Sequence, residues 1–265
     1  MTLFPRSIFP SFRYSSKAIL SISFLRMASS STPPYKINPL PRSLYPTPIT
    51  YTPQDFHRQD ESSDSEWYSQ PRFVQHIDDP AISSLKAYYS SIINPSHSVL
   101  DICSSWVSHL PPDLKPTSMI GIGMNALELQ RNQHLTSFFV KDLNTIPNLA
   151  EIPSESTDIV ICNVSVDYLT QPVAVFKEMN RVLKKGGTAH MAFSNRCFPT
   201  KVIGKWMGMS DEERRRWVGG YFWASGGWVD VEEVVLKEGG SGGGGVWGGY
   251  EDPLFVVRGR KATSG

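Results

Sequence analysis

Between residues 98 and 193 the apolar positions gather in short runs with apolar neighbours on both sides, as in strands covered by helices on each face. Five runs fit: SVLDIC (98–103), SMIGIG (118–123), SFFVKD (137–142), TDIVICNV (157–164) and TAHMAF (188–193). Elsewhere the spacing is helical. Ile82, Leu85, Tyr89 and Ile92 form one stripe over 80–93. Val173, Phe176, Met179, Val182 and Leu183 form another, opened by Pro172 and closed by Lys184, Lys185 and Gly186. Asn125 with Glu128 and Ser210 with Glu213 have the spacing of helix caps. Strands alternating with helices predict an α/β fold: a doubly wound, Rossmann-like, mostly parallel sheet with ligands at the carboxyl ends of its strands. Two last runs, 228–238 and 253–261, predict a C-terminal antiparallel hairpin. The GGSGGGGVWGG joining them precedes no helix, so it reads as a flexible loop rather than a phosphate cradle.

Composition divides the chain into three. A length of 265 residues with 40% hydrophobic content holds one large α/β domain, assigned to 67–265. Residues 31–66 are proline-punctuated without a helical period and read as an arm or linker. Residues 1–30 are rich in Ser and Arg and have no acid, as in an organelle transit peptide. A chloroplast is expected ahead of a mitochondrion; translation from Met27 would leave the protein cytoplasmic. The run AILSISFL is too short to span a membrane. Six basic residues fall in 1–54, so of the chain's 26 basic and 25 acidic residues, 20 and 25 lie in 55–265, a net −5. That sign argues against a nucleic-acid partner. Cys103, Cys162 and Cys197 form no CxxC pair and have no His at ligand spacing, so neither a disulfide framework nor a metal site is expected.

The candidate chemistry starts at the end of the first strand. Asp101 closes it, and a turn that brings backbone close to a charged cofactor is normally glycine-rich. Here it reads Cys103-Ser104-Ser105-Trp106-Val107. A dehydrogenase-type domain needs G-x-G-x-x-G at this point and is the weaker match. The order of segments, with VLDICSSWV, MIGIGMNALEL, VKDLNTIP, STDIVICNVSVDYL and FKEMNRVLKKGG, resembles the class I S-adenosylmethionine-dependent methyltransferase superfamily, of the methyltransferase type 11-like kind, over roughly residues 80–261. Its first and second motifs are degenerate here. The resemblance implies a transferase that uses S-adenosyl-L-methionine to methylate a small molecule or a protein side chain. The altered motifs support an alternative: a catalytically inactive binding or regulatory protein on the same fold.

Residue by residue, the resemblance implies that Asp101 helps hold the methionine end of the cofactor. Cys103, Ser105 and Val107 stand at positions usually held by glycine, and the small Cys103, Ser104 and Ser105 would form the cofactor loop. Gly123 stands where the family has the acid that grips the ribose hydroxyls. Met124 would pack on adenine, Asp142 would face the adenine amino group, and Asn163 would lie beside the methyl donor. Losing the ribose acid removes hydrogen bonds worth about 1.5–3 kcal/mol, so a weakened site is expected. No catalytic residue is assigned. Asp167, Tyr168 and His109 are candidates, with a helix cap for Asp167 and a solvent-facing loop position for His109 as the plainer readings. Residues 68–80 could fold over the pocket as a lid bearing Tyr68, Arg72 and His76.

Overall fold

The computed structural model describes residues 35–241 and 250–263. The N-terminal segment read as a transit peptide and the body of the glycine-rich loop lie outside the described residues. The strands are β1 (Lys36–Pro39), β2 (Ser98–Ile102), β3 (Ser118–Gly123), β4 (Ser137–Val140), β5 (Thr157–Asn163), β6 (Leu183–Phe193), β7 (Trp228–Lys237), β8 (Gly240–Ser241), β9 (Tyr250–Glu251) and β10 (Leu254–Lys261). The helices are α1 (Asp64–Trp67), α2 (Asp79–Ile92), α3 (Ala126–Arg131), α4 (Pro172–Val182), α5 (Gly204–Met207) and α6 (Asp211–Ser225).

Eight strands form one sheet in the order β1-β7-β10-β6-β5-β2-β3-β4. Strands β2 to β6 pair in parallel, and β10 runs antiparallel to both β6 and β7. The expected α/β architecture with its C-terminal antiparallel hairpin is therefore present. Side chains alternate between two cores. Val99, Ile159, Ile161 and Val256 pack with Ile82, Leu85 and Tyr89 of α2, while Leu100, Ile102, Val160 and Met191 pack with α4 and α6. Phe222 anchors that second layer, with ring centroids 4.8 Å from Phe176 and 4.9 Å from Trp228, both edge-on. The aromatic group on and after α6 is thus core packing.

The caps read from sequence form as expected at two helices. Asn125 Oδ1 accepts from the Leu127 and Glu128 amides, and Ser210 with Glu213 makes a full capping box. Two expectations are corrected. The α4 stripe does not end in Lys184–Gly186, because Leu183 is already extended and β6 starts there, pairing Leu183 with Thr157. Strict alternation of strand and helix also fails: no helix lies between β2 and β3. Pro111, Pro112 and Pro116 in that segment remove amide donors and bias their predecessors away from the helical region.

The proline-punctuated arm joins the fold. Its strand β1 pairs antiparallel with β7, placing Lys36 opposite Val235 and Pro39 opposite Glu232. Gly219 and Gly220 of α6 allow the arm to approach, since a Cβ on either would stand 2.3 Å from the Tyr45 hydroxyl or 2.5 Å from that of Tyr51. Further along, buried Arg58 grips both oxygens of Asp64 at 2.8 Å, and Asn144 donates to Asp64 at 2.8 Å. Buried Lys201 donates to the Ser62 carbonyl at 2.7 Å. This paired cluster fastens residues 58–64 over the carboxyl ends of the strands. Among the described residues no helix is long and apolar enough to cross a membrane.

Candidate functional site

The parallel strands β2, β3 and β5 end on one side of the sheet, where the strand order reverses about β2, and a cavity of about 490 Å³ opens there. All eight residues implied by resemblance line it: Asp101, Cys103, Ser104, Ser105, Gly123, Met124, Asp142 and Asn163. Sequence distance is no obstacle, because each sits at or just past the carboxyl end of a parallel strand.

Asp101 forms the floor. It is 1% exposed, and its Oδ2 accepts from the hydroxyls of Ser104 (2.7 Å) and Ser108 (2.6 Å). Its Oδ1 is buried without a partner. Burial raises the Asp101 carboxyl to about 6, against the two hydroxyl bonds that lower it. Asn132, just past α3, holds this arrangement by donating to Ser108 Oγ (2.8 Å) and the Ser105 carbonyl (2.9 Å). Ser108 and Asn132 carry no motif, and nothing in the sequence pattern marks them.

The loop after Asp101 starts with a left-handed residue, Cys103, at φ 52°. Ser104 then donates its amide to the Ile122 carbonyl at 2.8 Å, which lays its own carbonyl against Gly123. A Cβ built on Gly123 would stand 2.1 Å from that oxygen. Restoring an acid at position 123 to strengthen the ribose grip is the natural expectation from sequence. The structure sets an obstacle to it: the loop backbone already fills the place of the side chain.

Glu128 departs from its expected capping role. Its side chain does not reach back to the amide of Asn125; it accepts from the Arg72 amide (2.6 Å) and the Ser105 hydroxyl (2.7 Å), and it lines the cavity. Asp142 spends its oxygens on its own turn, accepting from the Asn144 amide (2.8 Å) and Thr145 Oγ1 (2.7 Å). Asn163 accepts from the Tyr89 hydroxyl and donates to the Ser108 carbonyl at 3.3 Å, so it braces β5 against the loop.

The three catalytic candidates separate clearly. His109 is not solvent-facing: it is 4% exposed, lines the cavity, stands at φ 56° and leaves Nδ1 without a partner. Burial, with Lys86 and His76 nearby, lowers it to about 4, so the ring is neutral at pH 7 and its protonated form is disfavoured. Tyr168 lines the cavity too, but burial pushes its phenol up and its oxygen accepts from the Phe198 amide at 2.7 Å, so it stays protonated. Asp167 is absent from the lining, and it does not cap α4, whose N-cap is Gln171 without a side-chain capping bond. It is 2% exposed, with Oδ2 unpartnered and its carboxyl raised by burial to about 7. His190 is held between the Tyr88 hydroxyl and Thr188 Oγ1, both at 2.8 Å, as a core histidine.

Residues 68–78 cover the cavity as a lid, and Tyr68, Arg72 and His76 all line it. Trp106 Nε1 donates to the Val74 carbonyl at 3.0 Å, and Asn125 Nδ2 to that of Tyr68 at 2.9 Å, which ties the lid to the cofactor loop and to α3. The Arg72 guanidinium lies 4.8 Å from the Trp67 ring centroid and 5.8 Å from that of Phe198. Phe198 and the Arg196–Asp252 pair (2.7 Å) supply a wall that sequence reading passes over.

Residues 118–191 match the methyltransferase domain family. No curated protein matches the sequence. Among solved structures, a chain from the complex between the Haloferax volcanii Trm112 methyltransferase activator and the putative methyltransferase is 16% identical. That alignment covers 69% of this chain and 90% of that one, with a TM-score of 0.50. A Thermotoga maritima S-adenosylmethionine-dependent methyltransferase, described as a possible histamine N-methyltransferase, is 15% identical over 68% of this chain and 89% of its own, with a TM-score of 0.47. The comparisons thus place a methyltransferase-domain match on residues 118–191, from β3 into β6, within a fold like that of the Haloferax volcanii chain.

Proposed function

We propose that the protein binds S-adenosylmethionine in this cavity and transfers its methyl group to a small molecule or a protein side chain. The observation that carries the reading is Asp101 Oδ1, a buried oxygen without a partner on the floor of a cavity at the switch point of the sheet. A buried carboxylate oxygen left unpaired is costly, and an ammonium group on a ligand would satisfy it. The cavity's volume lies within the range of small-molecule sites. S-Adenosylmethionine supplies an already electrophilic methyl group, so the chain's task is mainly alignment. Ser104 and Ser108 orient Asp101, the lid excludes water, and His109 lines the cavity as a neutral ring. The family match on 118–191 supports the reaction class.

A specific observation favours a second reading, a catalytically inactive binding or regulatory protein whose cavity does not take the cofactor. The Ser104 carbonyl covers Gly123, and Ser104 Oγ already occupies one face of Asp101. Calorimetry with S-adenosylmethionine and with S-adenosylhomocysteine separates the two. Binding of both in a 1:1 ratio is expected. A folded protein that takes neither would replace the methyltransferase reading with the second one.

The acid-free segment 1–54 supports import into an organelle, a chloroplast before a mitochondrion. Fused to a fluorescent protein, it is expected to carry the signal into plastids or mitochondria. A diffuse cytosolic signal would overturn this and favour initiation at Met27.

A further inference from the structure

Six carboxylates line the cavity, and Asp101 among them keeps the unpartnered Oδ1 assigned above to the ligand's ammonium group. Asp64 is clamped by Arg58 and Asn144, and Asp142 closes its own turn. Asp101 holds Ser104 and Ser108 on the floor. Asp78 and Asp252 each accept the other's backbone amide, and Asp252 also pairs with Arg196. Glu128 is the sixth. It is 6% exposed, its partners are one amide and one hydroxyl, and among the described residues no Lys or Arg forms an ion pair with it. Two acceptor bonds leave a carboxylate about two further lone-pair positions, as they do at Asp142, so what distinguishes Glu128 is that its partners come from the lid and the cofactor loop and not from its own turn.

Its location matters as much as its spare capacity. Glu128 binds Ser105, whose neighbour Ser104 lays its carbonyl over Gly123, and the adjoining Leu129 side chain would be 3.1 Å from a Cβ on Gly123. The carboxylate therefore stands beside the strand end that lost its acid, on the cavity side of the loop that displaced it. We propose that Glu128 is the ribose-binding residue of this protein: its carboxylate accepts the vicinal hydroxyls of a ribonucleoside cofactor in place of the acid missing at Gly123. The proposal rests on the cofactor reading above. It makes the change at position 123 a relocation of the acid by five positions and a transfer from the β3 end to α3.

The test compares S-adenosylhomocysteine with its 2′-deoxyribose analogue by calorimetry. Wild-type protein is expected to prefer the ribose form by at least about tenfold, the range for hydrogen bonds to a charged group. Glu128→Gln keeps the shape but turns one acceptor oxygen into a donor, so its preference is expected to fall below about threefold. Glu128→Asp, a shorter carboxylate, should fall between the two. Equal binding of both ligands by the wild type would overturn the assignment, as would a folded Glu128→Gln protein that keeps the full preference. Should Glu128→Gln fail to fold, the wild-type preference and Glu128→Asp decide. Wild-type protein that binds neither ligand removes the cofactor reading and this inference with it, an outcome distinct from equal binding.

Discussion

Replacing Asp101 with Asn is expected to weaken S-adenosylhomocysteine binding by about ten- to a hundredfold, the range for losing a charge-assisted hydrogen bond to the ligand's ammonium group. The same change should remove the pH dependence of binding. Burial holds the free carboxyl at about 6, and an ammonium partner favours its ionised form. Binding therefore releases a proton in acid, and wild-type affinity should fall about tenfold from pH 7 to pH 5 because the ionised fraction falls by that factor. Stability without ligand runs the other way. A carboxyl raised above its unfolded value adds no cost below about pH 4 and its full cost above about pH 6, so the ligand-free protein loses that contribution as pH rises between those limits. Calorimetric titrations at pH 5, 6 and 7 on both proteins check this. An Asn variant that keeps the tenfold slope would show that another group carries the titration.

How much of this was legible depends on where each feature draws its stability. The strands at 98–102, 118–123 and 157–163 are readable because consecutive apolar residues have few alternatives to a strand covered on both faces. Once they are parallel, Asp101, Gly123, Asp142 and Asn163 converge without further information. Strand β1 is not readable in this way. Four residues at a sheet edge show no period, and their partners, Glu232 to Val235, lie almost 200 positions away. His109 is placed by a left-handed backbone in a loop read as solvent-facing, so periodicity could not bury it. Glu128 occupies the N3 position after Asn125 and fits a capping role in the sequence; only the folded lid and loop supply Arg72 and Ser105 as competing partners. The misreadings fall where tertiary contacts override a local rule, here in the walls of the cavity.

Gly123→Asp should damage the protein instead of restoring a grip on the cofactor. The glycine is not needed for a left-handed turn, since it is not among the positive-φ glycines. It is needed for close approach, because the atom 2.1 Å from the new Cβ would be a backbone carbonyl oxygen that cannot rotate away. That carbonyl is fixed through its own residue's amide, which donates to Ile122, and through Ser104 Oγ on Asp101. Making room for any side chain thus means breaking the contact between loop and β3 and unsettling the floor together. Overpacking of this kind costs about 1–3 kcal/mol, or about 2–10 °C in melting temperature for a domain of this size. The buried carboxylate adds to that cost, so Gly123→Ala should show the steric part and Gly123→Asp more. Cofactor affinity should fall in both, because the Asp101 oxygen is no longer held in place. Thermal melts and calorimetry on the three proteins give the answer. If Gly123→Asp melts with the wild type and binds more tightly, the loop lifts freely, the ribose acid belongs at position 123, and Glu128 has no claim on the diol.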